Sequence, residues 1–140
     1  MIGRKTDILD VICRKLAPYV MLFGFYLISF GHLSPGGGFQ GGVVIASGVI
    51  LLALGRGSKT TERMFPVQRL HTIEAIAFVV FLAVGTVGIV VTGSFLGDFF
   101  TSDAGGRSPF GFIFLLNVVI GVKVGTGVSL ICLKFFEEQP

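Results

Sequence analysis

Four long apolar runs constrain this chain more than any other feature of its sequence. They cover about residues 16–31, 41–54, 73–96 and 111–136. A helix that crosses a bilayer needs roughly 20 apolar residues, within a range of about 17 to 25, and the third and fourth runs reach that length alone. Because charged residues make up only 14% of the chain, lipid rather than water is its expected solvent. We therefore predict an all-α integral membrane protein with four transmembrane helices.

One membrane domain over residues 1–140 is the predicted organisation. Ile8, Leu9, Ile12 and Leu16 recur at helical spacing among charged residues, which predicts an amphipathic helix before the first span. Such a helix lies on the cytoplasmic membrane surface or packs on a partner's cytoplasmic domain, and the sequence leaves both open. The charges in this segment also leave no apolar core for a signal peptide. The predicted boundaries are about 5–16 for the amphipathic helix and about 16–33, 38–55, 72–96 and 111–135 for the spans.

The basic residues of the connecting segments predict the orientation of the spans. In this layout nine of them fall on one side of the membrane, and Arg107, beside Asp98 and Asp103, is alone on the other side. Basic residues concentrate on the cytoplasmic side of membrane proteins. Both termini are therefore expected to be cytoplasmic, with the loop that holds Arg107 exposed on the opposite face. The nine residues are Arg4, Lys5, Arg14, Lys15, Arg56, Lys59, Arg63, Arg69 and Lys134.

The stretch GHLSPGGGFQGG, from Gly31 to Gly42, separates the first two runs. Its Gly36, Gly38 and Gly41 fit the G-x-G-x-x-G pattern of dinucleotide-binding loops. That reading needs a strand before the glycines and an acidic residue about 20 positions after them. Here an apolar run of helical length precedes the glycines, and the nearest acid beyond that position is Glu62. The pattern therefore does not predict a nucleotide site.

A turn between two membrane helices explains the same stretch. Pro35 disfavours helix at the residue before it, and Gly36–Gly38 can turn the chain sharply. The spacing of Gly38, Gly42 and Ala46 favours close packing of the second helix on a neighbour, and the first two runs reach spanning length only if they extend into this stretch. Irregular backbone at membrane depth needs surrounding protein or a water-filled cavity. We therefore expect a re-entrant turn or the wall of a hydrated path.

The string GHLSPGGGFQGGVV resembles the signature of the B subunit of Mrp-type (also called Mnh) multisubunit Na⁺/H⁺ antiporters. The resemblance covers roughly residues 18–133, although the glycine string carries nearly all of its specificity. The layout of four spans with a cytoplasmic N-terminus matches as well. The residues of this chain that match the motif are His32, Pro35, Gly36, Gly37, Gly38, Phe39, Gln40, Gly41 and Gly42.

The resemblance implies a non-catalytic subunit of the cell membrane, without a prosthetic group, in an assembly that exchanges Na⁺ for H⁺. Its implied partners are other membrane subunits of the antiport module. Subunits of this type also occur in energy-converting membrane-bound hydrogenases and sulfur-reducing complexes, so redox subunits are alternative neighbours. The subunit is expected to line or seal the ion path, or to act as a purely structural spacer. Nucleic acid is not an expected partner.

Lys123 lies near the middle of the fourth span, about 18 Å from either end. Placing a lysine there costs roughly 2.5–3.5 kcal/mol, so its ammonium should face a carboxylate or water. Lys123 lies about 200° around the helix from Gly121, opposite a stripe of small and polar residues that favours tight helix packing. That stripe consists of Asn117, Gly121, Gly125 and Ser129.

His71 and Glu74 lie one turn apart at the predicted cytoplasmic start of the third span. A glutamate in a first helical turn is favoured by the helix dipole alone, but the two residues could also handle protons, since histidine changes charge near neutral pH. The ion-path candidates are Lys123, His71, Glu74, Phe39 as an apolar plug in the bend, Gln40 as a neutral ligand, and His32. No catalytic or metal-binding residues are predicted, because Cys13 and Cys132 are too few and too far apart for a metal motif.

Overall fold

The computed structural model describes residues 2–31, 33, 36–97 and 111–137, with the backbone alone for residues 2–7. These residues form helices and contain no strand. The helices are α1 (Ile2–Phe30), α2 (Gly38–Arg56), α3 (Ser58–Met64), α4 (Val67–Thr92) and α5 (Gly111–Glu137).

Four helices are long and apolar enough to cross a membrane. The candidate spans are Ile8–Phe30, Gly38–Arg56, Val67–Thr92 and Gly111–Glu137. With 19 to 27 residues each, they cover the length that a bilayer requires. The predicted all-α class with four long apolar helices is therefore confirmed.

The first span is longer than its apolar run because it continues towards the N-terminus. A single helix, α1, holds both the segment predicted as an amphipathic helix and the first span, and it ends at Phe30 rather than near residue 33. The apolar side chains of that segment stay exposed; Ile8, for example, is 59% exposed. They remain available to a lipid surface or to a partner.

The ends of α4 depend on local residues that the hydropathy pattern does not register. Pro66, with φ −62° and ψ 128°, directly precedes the helix, which begins at Val67 rather than near residue 72. At the other end Gly93 adopts a left-handed conformation with φ 76°, and its N–H donates to the carbonyl of Ile89. This cap ends the helix at Thr92, although apolar residues continue to Leu96.

Helix α2 lies between α1 and α5, and α4 packs on the other side of α5. A cluster of buried apolar side chains from α2, α4 and α5 joins the three helices near one end of the bundle. In lipid such contacts stabilise mainly through van der Waals packing rather than through removal from water. The buried cluster consists of Val49, Ala53, Leu70, Leu130 and Leu133.

Asp10 links α1 to the end of α2. Its carboxylate pairs with Arg14 one turn along α1 and lies 3.9 Å from Nε of Arg56. Beside it Cys13 packs on Gly55, where an added Cβ would lie 2.5 Å from the cysteine Cβ. These contacts hold the region of Asp10 and Cys13 against the end of α2, so α1 covers α2 as far as its last turn.

Candidate functional site

A turn built on glycine joins α1 to α2. The N–H of Leu33 donates to the carbonyl of Phe30 at 3.0 Å, and the N–H of Gly41 donates to the carbonyl of Gly37 at 2.9 Å. Between these bonds Gly36 has φ 137°, a conformation that side-chain-bearing residues rarely adopt. His32 and Pro35 lie outside the described residues, so their expected roles in the bend remain predictions.

The glycines at the start of α2 allow it to touch two helices at once. A Cβ added at Gly42 would lie 2.6 Å from the carbonyl oxygen of Gly121 on α5. A Cβ at Gly41 would lie 2.7 Å from the carbonyl oxygen of Gly24 on α1. Backbone therefore packs directly on backbone, as small residues permit in membrane helices.

The small and polar stripe of α5 is the surface that faces α2. Gly121, Gly125 and Ser129 are buried, and the Ser129 hydroxyl donates to the carbonyl of Gly125 at 2.6 Å. A Cβ at Gly38 would overlap the Asn117 carbonyl oxygen. The stripe and the glycine motif thus form one interlocked contact between α2 and α5.

Asn117 connects α5 to the glycine turn by its side chain. Its Oδ1 accepts a hydrogen bond of 3.3 Å from the N–H of Gly38, the first residue of α2. Its Nδ2 is buried beside Gly31 and has no hydrogen-bond partner among the residues that the structure describes. An amide at the start of a helix lacks an intrahelical partner, so Asn117 satisfies a donor that the turn would otherwise leave open.

Phe39 and Gln40 differ in their relation to the bend, since Phe39 lies on its exposed side whereas the Gln40 Oε1 would lie 3.6 Å from a Cβ added at Gly37. Phe39 is 61% exposed and Gln40 is exposed as well, because the inward face of this first turn is taken by the glycines. Phe39 therefore leaves most of its ring uncovered within this chain, and its expected role as a plug remains a prediction. The exposed parts of both side chains are open to a partner, to lipid or to water.

Lys123 has its acidic partner within the same chain. Its Nζ lies 3.9 Å from Oε1 of Glu74 on α4, and 5.3 Å from the centre of the Phe78 ring. The ring adds a cation–π attraction to that of the carboxylate. The lysine and glutamate side chains remain 39% and 32% exposed. The pair therefore lies on the outer face of the α4–α5 contact and not inside the bundle.

A pocket of about 340 Å³ surrounds this ion pair, lined by His71, Glu74, Ala75, Phe78 and Lys123. All three titratable side chains that were predicted separately on two spans thus line one pocket. Carboxylate, imidazole and ammonium groups in one cavity can hold and exchange a proton or bind a small cation.

Gly127 provides the room for the glutamate carboxylate. A Cβ added at this position, one turn after Lys123, would lie 3.3 Å from Oε1 of Glu74. A methyl group here would need the carboxylate to shift by only a few tenths of an ångström, whereas a side chain larger than alanine would push it from its place beside the lysine. Gly127 is therefore a residue of the pocket even though it carries no side chain.

The helix-dipole explanation of Glu74 is wrong. Because α4 begins at Val67, Glu74 is the eighth residue of the helix and not part of its first turn, whereas the dipole effect falls off within that turn. Sequence reasoning also missed the pairing of Glu74 with Lys123 and the contribution of Phe78 and Gly127. The signal in the sequence was that the predicted third span carries one acid, Glu74, and the middle of the predicted fourth span carries one base, Lys123.

The family model and the relatives found by comparison with known proteins agree on one family. The family model described as "Domain related to MnhB subunit of Na+/H+ antiporter" matches residues 8–130. An uncharacterized protein of Methanocaldococcus jannaschii is 30% identical over 98% of this chain and 56% of its own length. The B subunit of a Na⁺/H⁺ antiporter from Bacillus subtilis is 36% identical over 51% of each chain. The protein of the same name from Alkalihalophilus pseudofirmus is 30% identical over 69% of this chain and 67% of its own. The chain thus spans about half the length of the first two relatives.

Proposed function

The chain belongs to the MnhB family of Na⁺/H⁺ antiporter subunits, and we propose that it lines part of the ion path in a multisubunit antiport assembly. Its four apolar helices make it a multi-pass protein of the cell membrane. The relatives that are named as antiporter subunits imply that other antiporter subunits are its partners. We propose no catalytic reaction for this chain itself.

The observation that carries this proposal is the half-exposed pair of Lys123 and Glu74 on spanning helices. Lys123 lies about 18 Å along α5 from its beginning, and charged groups at such depth are costly unless they face protein or water. Since more than a third of the lysine side chain is uncovered in the chain alone, another subunit or a hydrated path must cover it. An ion-transporting assembly offers both a neighbouring subunit and a hydrated path.

In this proposal the pocket between α4 and α5 is the charged part of the path. Lys123 supplies a fixed positive charge, and Glu74 supplies a carboxylate that can bind a proton or Na⁺. His71 lies one turn before Glu74 and lines the same pocket, and in this proposal its imidazole passes protons between the pocket and the cytoplasmic side.

The glycine turn has a second role in the proposal. It shapes a bend beside which a hydrated route passes near the opposite face of the membrane. Phe39 and Gln40, which are exposed, contact that route or the neighbouring subunit there, the first as an apolar plug and the second as a neutral ligand for water or ion.

We propose that both termini are cytoplasmic. The nine basic residues in the N-terminal half of α1, in the segment from Arg56 to Arg69 and in the last turn of α5 support this orientation. It places Lys59 of α3 in the cytoplasm and the turn at Leu33 near the opposite face.

A structural spacer is the second candidate, and one observation favours it. The backbone contacts of Gly38 and Gly42 with α5 show that much of the motif serves close packing. A spacer would lose assembly when these glycines or Lys123 are replaced. The ion-path proposal instead expects an assembled complex with lower exchange after replacement of Lys123.

The experiment that tests the proposal is purification of the tagged chain in a mild detergent, with identification of every protein that co-purifies. Large antiporter-type subunits support a dedicated Na⁺/H⁺ antiporter, and exchange of Na⁺ for H⁺ is then measured after reconstitution into vesicles. Partners with nickel–iron or iron–sulfur centres place the same module in a hydrogenase or sulfur-reducing complex. A chain that purifies alone contradicts the proposal.

A further inference from the structure

The ammonium group of Lys123 is incompletely satisfied within the chain. Its one ion partner among the described residues, Glu74, lies at 3.9 Å, whereas a charge-assisted hydrogen bond is about 2.7–2.9 Å long. A lysine ammonium has three donors, and none makes a hydrogen bond to a described residue. The Phe78 ring covers one side of the ammonium. The other side faces the open pocket.

The charges around the pocket set the chemistry of whatever covers it. Helix α5 contributes one positive charge from Lys123, and α4 contributes one negative charge from Glu74 and the imidazole of His71. At 3.9 Å the single carboxylate leaves the ammonium donors without a hydrogen bond to a described residue. An acidic side chain would accept these hydrogen bonds and pair with the lysine charge, which neither an apolar nor a basic side chain does.

The outer face of α4 around the pocket is apolar and uncovered. Phe78 is 47% exposed, Val79 is 63% exposed, and Ala75 leaves a shallow position at the pocket rim. Helix α4 packs on α5 and leaves this face open. Lipid chains can cover the apolar part but offer no acceptor to Lys123. A second membrane helix can cover both parts.

We propose that a membrane helix of a neighbouring subunit covers this pocket and presents a carboxylate to Lys123, which thereby bridges two carboxylates, one from each subunit. This rests on the proposed function, because it requires the chain to work within an assembly. It goes further by naming the face that docks and the chemistry of the residue that completes the pocket.

The test is photo-cross-linking within the purified assembly. Ala75 is replaced by p-benzoylphenylalanine in one variant, and Val79, one turn further on the same face, in a second variant in case the first does not assemble. Val90, which is 85% exposed on the same helix and about 20 Å away, is the matched control position. After irradiation, mass spectrometry identifies the cross-linked peptides.

The proposal predicts that positions 75 and 79 cross-link to one apolar helix of another subunit, with an Asp or Glu within about one turn of the cross-linked residue. The control position does not capture that acidic segment. Neutralising the acid or making Lys123→Gln should each lower the yield of this cross-link by at least about tenfold while the assembly stays intact. The loss in the double variant should be no larger than the loss in the more impaired single variant, because both substitutions remove the same contact.

Cross-links to a helix without an acid near the contact, to lipid alone or to a second copy of this chain would overturn the inference while the proposed function stands. Additive losses in the double variant would do the same. If the purified material contains no other subunit at the outset, the proposed function itself is contradicted, so the two failures are distinguishable.

Discussion

Replacing Gly42 by alanine tests how tightly α2 packs on α5. The added Cβ would lie 2.6 Å from the carbonyl oxygen of Gly121 and 3.0 Å from the amide nitrogen of Gly125. Both neighbours are backbone atoms, so α2 and α5 must separate by about 0.8 Å to restore ordinary contact. Overpacking of this kind costs about 1–3 kcal/mol, and the higher helix propensity of alanine returns up to about 1 kcal/mol. The expected net loss of stability is about 1–2 kcal/mol.

The assay is thermal unfolding of the purified assembly, monitored by the circular dichroism of its helices, with the same detergent for every variant. Gly42→Ala is expected to lower the Tm by about 3–8 °C. The matched control is Gly127→Ala, whose Cβ would meet the flexible Glu74 carboxylate at 3.3 Å and should leave the Tm nearly unchanged. Equal Tm values for the two variants would refute the interlocked contact between α2 and α5.

Three further predictions concern the turn, the ion pair and the orientation. Asn117→Leu removes the acceptor for the N–H of Gly38 and should destabilise the fold by about 1–3 kcal/mol, whereas Asn117→Asp keeps the acceptor; chemical denaturation compares them, and equal losses would count against the bond. Glu74→Gln leaves Lys123 without its carboxylate and should lower Na⁺/H⁺ exchange in vesicles by at least about tenfold. Unchanged exchange would rule out a role for this ion pair in transport. In a Cys13→Ser, Cys132→Ser background, Lys59→Cys should react with an impermeant maleimide from the cytoplasmic side only. Leu33→Cys should react from the opposite side only. The reverse labelling would disprove the proposed orientation.

The helices of this chain could be predicted because length and hydropathy decide whether a segment can cross a bilayer. Their ends could not be placed as well, because a single residue such as Pro66 or Gly93 sets them inside or beside an apolar run. The stripe from Asn117 to Ser129 was recognisable as a packing face, since small residues repeated every four positions allow close approach. Its partner, the start of α2, was identified only by the fold.

The pairing of Lys123 with Glu74 could not be predicted from one sequence. It depends on the register between α4 and α5, and the connection over residues 93–110 is long enough to permit several registers. The outward direction of Phe39 was missed for a similar reason, because it follows from which helices the neighbouring glycines touch. The helices are therefore determined by the local sequence, whereas the residues that meet in the pocket are determined by how α4 packs on α5.

The most direct test of the ion-path proposal is the rate of Na⁺/H⁺ exchange by vesicles that contain the assembled Lys123→Ala complex. Lys134→Ala is the matched control, since Lys134 is an exposed lysine in the last turn of the same helix. The ion-path proposal predicts that the Lys123 variant assembles with all its partners and loses most of its exchange, while the control keeps both. Full exchange by an assembled Lys123→Ala complex would contradict the proposal, and loss of assembly would favour the spacer.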